Sequence, residues 1–424
     1  MKTAIHQTVS LSDIMAARSR LNGAIVHTQC AESAALSELT GARVFCNQEF
    51  LQRTGSFKER GARNALAQLP LDQARKGVIA ASAGNHALGL AWHGRALNIP
   101  VTVVMPRFAP LVKVARCQQF GAKVILHGDV YDEARKEAAR LATEGELAYI
   151  HPFDDPRVIA GQGTLAFEIL EQVPDADAVI IPVGGGGLLA GVATVFHALK
   201  PDLQIIGVEP ANAACFSAAM TAGSPVHIPT RYTIADGLAV AEAGTNTLAI
   251  AAPWIQPIVK VEEKSIALAM LRLAELEKCI IEGAGAVGLA ALLEGKLPEL
   301  AGRKVVLVLT GGNIDPLAHS RVIERGLAAD GRIYRFDVLL NDRPGSLAHL
   351  SAVLAAAGAN VTEIVHNRTF AGPDLSRVHV LCTVETRDRA HIAELQKRLA
   401  ENGVELFSEQ RVGEGHGMEK PVSQ

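Results

Sequence analysis

From about residue 40 to residue 315, short apolar runs alternate with longer stretches whose apolar positions recur every three or four residues. The runs ARVFCNQ, GVIAAS, VTVVMP, KVILHG, AVIIPVG, LQIIGVE and KVVLVLT read as strands. Several carry no alternating polar residue, so burial on both faces is expected of them. The stretches NHALGLAWHGRAL, YDEARKEAARLA and SIALAMLRLAELE between them have helical period. Such alternation implies a parallel sheet covered by helices. Ligands of such sheets gather at the carboxyl ends of the strands, where loops and helix N-termini converge.

Near residue 331 the pattern changes. RIYRFDVLL reads as a strand that ends in the turn NDRPG. SLAHLSAVLAAAG follows as a helix, with Leu347, Leu350, Leu354 and Ala357 on one face and Gly358 as its stop. NVTEIVHNRTF and SRVHVLCTVET form a hairpin joined by AGPDL, RAHIAELQKRLAENG a second helix and VELF a last strand. The order β-α-β-β-α-β is that of a ferredoxin-like α+β unit. The chain thus divides into an α/β region over residues 1–325, an α+β unit over 331–410, and a polar, Gly-rich tail over 411–424 that is expected to be disordered.

Composition narrows the classes. A chain of 424 residues has room for two or three domains. A net charge of −3 without a basic block gives no reason to expect nucleic-acid or membrane-surface binding. Six cysteines without a CxxC pair point neither to a zinc site nor to a disulfide framework, and suit a reducing compartment. MKTAIHQTVSLSDI lacks an apolar signal core and no apolar run reaches membrane-spanning length, so a cytoplasmic location is expected.

Four glycine-bearing turns are candidates for chemistry. In AVIIPVGGGGLLAGVATVF, residues 178–196, a buried strand runs through four glycines straight into a helix. Glycine lets backbone N–H groups approach a ligand and the helix N-terminus adds positive partial charge, so an anion is expected at Gly184, Gly185, Gly186, Gly187 and Leu188. No GK[ST] follows, which excludes a P-loop. Gly185, Gly187 and Ala190 also fit G-x-G-x-x-A, with Glu209 placed as a ribose-binding acid, so a dinucleotide and an NAD-dependent oxidoreductase form the rival reading. In ASAGNHALGLA, residues 81–91, Asn85 and His86 open a helix; Asn85 as a simple cap and His86 as a structural residue are the plain readings. In VVLVLTGGN, residues 305–313, Thr310 stands at a strand end before two glycines. The fourth turn, TGSFKERGA at 54–62, carries Lys58.

These turns are expected to fall in one layer at one end of the sheet. A cofactor with one phosphate and a carbonyl that condenses with an amine would use all of them, and pyridoxal 5'-phosphate has both. A lysine among apolar neighbours loses its charge more easily, and only the neutral amine condenses.

S-F-K at 56–58, S-A-G-N-H at 82–86, G-G-G-G-L at 184–188, T-I-A-D-G at 233–237 and L-T-G-G-N at 309–313 occur in that order. Over roughly residues 10–325 the chain resembles the fold-type II pyridoxal-phosphate enzymes, whose fold is tryptophan synthase β-like, and among them the threonine ammonia-lyase (threonine dehydratase) family; the resemblance implies that residues 1–325 form two open α/β subdomains. LNDRPGSLAHL resembles the start of an ACT domain, present in one copy. The resemblance implies that Lys58 holds the cofactor and serves as general base, with Phe57 beside the ring, Asn85 on its 3-hydroxyl, residues 184–188 on its phosphate, Thr310 at its pyridine nitrogen, and Gly237 in the same set. It implies that Ser56, Ser82, Ala83, Gly84, Asn85 and His86 receive the substrate, with Ser56 counted beside Lys58 as catalytic. The reaction implied is β-elimination from L-threonine to 2-oxobutanoate and ammonia, and from L-serine to pyruvate, toward isoleucine or in threonine catabolism. Close alternatives are a serine or hydroxyaspartate dehydratase and a racemase. Related racemases carry a second serine where this chain has Ala83, which has no proton to give, so lyase is favoured. Glu209 matches the first ligand of a divalent site in those relatives, but the run continues Ala214, Cys215 where a later acidic ligand belongs. No divalent metal is therefore expected, while a monovalent ion near Glu209 stays open. An isoleucine- or valine-type effector at Asn341, Asp342, Gly345 and Asn360, and a homo-oligomer, dimer or tetramer, are further implications.

Overall fold

The structure is a computed structural model and describes residues 8–109, 111–256, 258–367 and 376–410. It divides into two compact units, one up to His319 and one from Ser320 onward.

Among the described residues the first unit contains ten strands: β1 (Cys30–Glu32), β2 (Arg43–Asn47), β3 (Val78–Ala81), β4 (Val101–Met105), β5 (Lys123–Leu126), β6 (Ala148–Tyr149), β7 (Ala178–Pro182), β8 (Gln204–Pro210), β9 (Val259–Val261) and β10 (Lys304–Val308). All seven apolar runs form strands. The three additional ones, β1, β6 and β9, span three residues or fewer and are too short to carry a period. The runs pair into two sheets. β1-β2-β10-β7-β8-β9 make one sheet, parallel except for β1, and β5-β4-β3-β6 make a second, wholly parallel one. An apolar run reveals that a strand is buried, not which strand it pairs with.

Every residue of β3 and β7 is buried, as their unbroken apolar character requires. Val179, Ile181, Leu189, Val192 and Phe196 lie in the core of the larger sheet, and Val78, Ala80, Leu88, Val103 and Met105 in that of the smaller.

The helix Lys58–Leu66 packs against the helix Pro156–Gln172 at a glycine contact. A Cβ on Gly161 would lie 2.7 Å from Gly61 Cα and 2.5 Å from Arg60 O, so only glycine permits this approach. Beside it Arg60 is fully buried. Its Nε and Nη2 donate to Glu49 at 2.8 and 2.7 Å, and its Nη1 and Nη2 to Glu168 at 2.5 and 2.8 Å. A buried charge has to be paired in this way, and two carboxylates on one guanidinium tie three chain segments together.

The second unit runs β11 (Ile333–Asn341), helix Ser346–Ala356, β12 (Asn360–Asn367), β13 (Arg377–Glu385), helix Arg389–Glu401, β14 (Glu405–Gln410). This is the order read from the sequence, folded as an antiparallel sheet β12-β13-β11-β14. Alternate residues of β11 and β13 are buried beneath the helices. Leu347 departs from its expected place. It is 39% exposed, and Val353 joins Leu350 and Leu354 on the buried face, because the first helical turn borders an open cavity rather than the sheet. The AGPDL connection and the 411–424 tail lie outside the described residues. Among the described residues, no helix is long and apolar enough to cross a membrane.

Candidate active site

The Lys58 turn is held from both sides. Gly55 adopts φ +78°, which places it in the left-handed region. The buried Glu59 carboxylate accepts from Thr54 N at 2.9 Å and from His93 Nε2 at 3.0 Å. Ser56 bridges to Gly311 and Phe57 N donates to Thr310 O at 3.0 Å, which fastens the turn to the end of β10. Lys58 then opens its helix partly buried, its Nζ donating to Pro152 O at 2.8 Å and standing 5.2 Å from the Phe57 ring centre. Burial pushes the amine down to about 8, with the Glu282 carboxylate opposing. Uptake of pyridoxal phosphate by the cofactor-free protein should therefore accelerate with pH through a midpoint near 8, rather than near the ordinary lysine value of about 10.4. Stopped-flow absorbance across pH 6.5–10 checks this.

The glycine run lies between β7 and the helix Gly187–Leu199, with Gly186 as N-cap at φ +92°. A Cβ on Gly185 would lie 2.3 Å from the Phe153 ring and one on Gly186 2.2 Å from the Phe216 ring, so side chains are excluded by packing. The carbonyls are engaged: Gly184 O accepts from Cys215 Sγ at 3.6 Å, Gly185 O from Thr247 Oγ1 at 2.6 Å, and Gly186 O from Ala190 N at 2.8 Å. The peptide planes are thereby fixed, and the N–H groups at this helix start have the geometry that suits an anion.

The segment His151-Pro152-Phe153-Asp154 connects the two halves and was missed in the sequence, because a loop has no period. Pro152 O takes the lysine, Phe153 packs on Gly185 and Gly187, and Asp154 accepts from the amides of Thr245, Asn246 and Thr247 at 3.2, 2.9 and 3.0 Å.

The helix Asn85–Leu97 is capped by Gly84, and the Asn85 side chain does not cap it. Asn85 Nδ2 instead donates to Glu282 Oε1 at 2.6 Å, and its Oδ1 accepts from Asn313 Nδ2 at 2.9 Å. Buried His86 donates from Nε2 to Ile150 O at 3.1 Å, and its basicity is lowered to about 3 by burial and by Lys58, in keeping with its structural reading. Ser82 Oγ accepts from Gly84 N at 3.3 Å, Ala83 is half-buried, and a Cβ on Gly84 would meet nothing within 4 Å. Thr310 is buried at the end of β10, and Gly237 is exposed beside Leu238, which abuts Gly184.

The candidate turns thus come from two sheets rather than one: 82–86 follows β3, while 184–188 and 310–313 follow β7 and β10. Across them run the Asn85 contacts and a Lys113–Asp236 pair at 3.0 Å. Glu282 was also missed. It is buried at the start of the helix Gly283–Leu293, where burial and the Asp236 charge raise its carboxyl to about 7. A lone acid in IIEGAGAVGLA was the available clue.

Glu209 is committed to the backbone rather than placed as a ribose acid. It is fully buried and accepts from Phe216 N at 2.7 Å and Ser217 N at 3.0 Å, holding the start of the helix Cys215–Ala222. Among the described residues no group of three His, Cys, Asp or Glu could hold a metal ion.

In the second unit Asn341, Asp342 and Gly345 line a cavity of about 600 Å3 with Leu347 and His366. Asn360 does not join them. Its register partner is Glu385, opposite Ile333 at the far end of β11, and its Nδ2 donates to Glu385 at 2.9 Å.

The donor set suits pyridoxal phosphate: an amine of lowered basicity, a backbone anion cradle, and at Ser56 a fully buried hydroxyl with no partner among the described residues. Residues 21–311 match the family described as pyridoxal-phosphate dependent enzyme, and residues 334–401 match the ACT domain. The chain is 41% identical to an L-threonine ammonia-lyase of Thermotoga maritima over 398 residues, 94% of this chain and 99% of that one. It is similar to the processed form of threonine deaminase isoform 2 from Solanum lycopersicum, with TM-score 0.70 and 35% identity over 76% of this chain and 91% of that chain. Maize serine racemase gives TM-score 0.71 and 31% identity over 76% and 98%. The chain belongs to the pyridoxal-phosphate dependent enzyme family and carries an ACT domain behind its catalytic unit.

Proposed function

We propose that this enzyme removes ammonia from L-threonine, by β-elimination of water followed by hydrolysis of the resulting imine, giving 2-oxobutanoate, and converts L-serine to pyruvate by the same route. The observation that carries this reading is the Lys58 amine of lowered basicity beside a substrate turn whose second position is Ala83. When bound, the cofactor supplies the electron sink for the carbanion formed at Cα. Lys58 would hold it covalently, the amides of residues 184–188 would hold its phosphate, and Thr310 would face its ring nitrogen with a neutral hydroxyl. Ser56 and the 82–86 turn would fix the substrate carboxylate. The Lys58 amine would take the Cα proton as general base, a role its lowered pKa suits near neutrality. Ala83 offers no proton to the opposite face, which would favour loss of the β-hydroxyl over formation of the other enantiomer.

The cavity at Asn341, Asp342 and Gly345 is our candidate effector site for an isoleucine- or valine-type amino acid, in a homo-oligomer. All six cysteines are unpaired, which suits work in the cytoplasm. The test is ammonia release from L-threonine, L-serine and 3-hydroxyaspartate, with and without isoleucine and valine, alongside chiral analysis of residual substrate. L-threonine should be turned over with the highest kcat/KM and no D-isomer should accumulate. Preference for 3-hydroxyaspartate, or racemisation faster than ammonia release, would overturn the assignment.

A further inference from the structure

Asn85 is an amide that can face either way, and the placing of its donor and acceptor decides what it offers a ligand. Four side chains form a directed chain through it. Arg116 Nη1 donates to Asn313 Oδ1 at 2.8 Å, Asn313 Nδ2 donates to Asn85 Oδ1 at 2.9 Å, and Asn85 Nδ2 donates to Glu282 Oε1 at 2.6 Å. The polarity follows from the two ends. A guanidinium only donates, so Asn313 must turn its oxygen outward and its NH2 inward. The second hydrogen of that NH2 goes to Thr54 O at 2.7 Å, the first carbonyl of the Lys58 turn. Asn85 must then present its oxygen to Asn313 and its NH2 to Glu282, with one amide hydrogen left for a ligand. The carboxylate end accepts, and the backbone N–H of Asn313 also bonds to Glu282, closing the ring.

We propose that Arg116 and Asn313 are positioning residues for the reaction, which act through this chain by locking the amide of Asn85 with its NH2 toward the cofactor side and by holding the Thr54–Lys58 turn. This rests on the reading of Asn85 and Lys58 as cofactor-binding residues. Neither Arg116 nor Asn313 needs to touch the cofactor. The chain also spans the two sheets: Arg116 lies in the helix Leu111–Gln119 and Asn85 follows β3, whereas Asn313 and Glu282 belong with β10 and the helix Gly283–Leu293. The orientation is thus set only when the two halves are together.

The variants Asn313→Asp, Arg116→Glu and Arg116→Lys test it in the full chain. Asn313→Asp keeps shape but removes the inward donor. Arg116→Glu reverses the polarity at the half-exposed outer end, where a substitution is tolerated if Asn313→Asp does not fold. Arg116→Lys keeps a donor. The affinity of the cofactor-free protein for pyridoxal phosphate, titrated by absorbance, should fall roughly tenfold in the first two, the factor carried by one hydrogen bond to a buried group. It should stay within about twofold in Arg116→Lys. The pH midpoint of the visible band of the loaded protein should shift in the first two variants alone. The tenfold loss should persist at ~0.5 M salt, where a through-space charge effect would be screened. Wild-type affinity in Asn313→Asp and Arg116→Glu, equal loss in Arg116→Lys, or disappearance of the loss in salt would overturn the relay alone. A wild-type protein that takes up no pyridoxal phosphate would overturn the underlying reading, and the relay with it.

Discussion

Lys58→Ala should lower kcat/KM for L-threonine by roughly four orders of magnitude, the upper range for a positioned general base. The same change removes the covalent hold on the cofactor, so the visible band of the loaded protein should vanish while phosphate anchoring by the glycine run persists. Folding should survive. Lys58 opens its helix, alanine is the strongest helix former, and the ammonium is disfavoured where it stands. Its amine is depressed to about 8 in the folded chain from an ordinary value near 10.4, so at neutral pH the folded state carries a charge it holds poorly. That cost is complete below pH 8 and fades as pH rises toward the unfolded value, because the unfolded chain alone then stays protonated. Cofactor-free Lys58→Ala should accordingly match or exceed the wild type in urea midpoint below pH 8, with the advantage gone by about pH 10.5.

Arg60→Ala should lower stability by about 3–5 kcal/mol, the cost of breaking a buried ion pair from one side. Glu49 and Glu168 would be left facing each other, the former fully buried and the latter 7% exposed. Thr28 Oγ1 and Gln52 Nε2 still donate to Glu49, at 2.6 and 3.3 Å, but these neutral donors do not replace a guanidinium that binds both carboxylates. The melting temperature should fall by on the order of 10 °C. Activity should fall further than stability alone explains, because Arg60 stands two positions after Lys58 and fixes that helix against Gly161. Combining Arg60→Met with Glu49→Gln and Glu168→Gln should recover much of the stability, since the buried charges then go together. A urea series on these variants checks both statements.

The parts of the site visible in the sequence are those where chemistry restricts the local chain. Four glycines between a buried strand and a helix cost backbone entropy that a plain turn would not need, and they leave room for an anion on the amides. The glycine turns around Asn85 and Thr310 mark strand ends that a ligand can approach. The Lys58 turn was legible because glycine and serine lead directly into a helical pattern. What failed was long-range. Pairing of strands into two sheets depends on contacts that no window of sequence contains, so the apolar runs alone do not say which strands share a sheet. Pro152, Phe153 and Glu282 act through position alone: a carbonyl, a ring over two glycines, and a buried carboxylate. Asn360 was misplaced for the opposite reason. The turn before it has the right chemistry, but antiparallel register carries it to the far end of β11 from Asn341. Glu209 shows how loose a spaced motif is. The spacing fits a ribose acid, while the folded carboxylate is committed to two backbone amides.

The central claim is that one lysine among many carries the cofactor. Borohydride reduction of the protein loaded with pyridoxal phosphate, followed by digestion and peptide mass analysis, measures this directly. A single modified peptide is expected, with the added mass on Lys58. Modification at another lysine, or loss of the visible band without any peptide gaining mass, would contradict it.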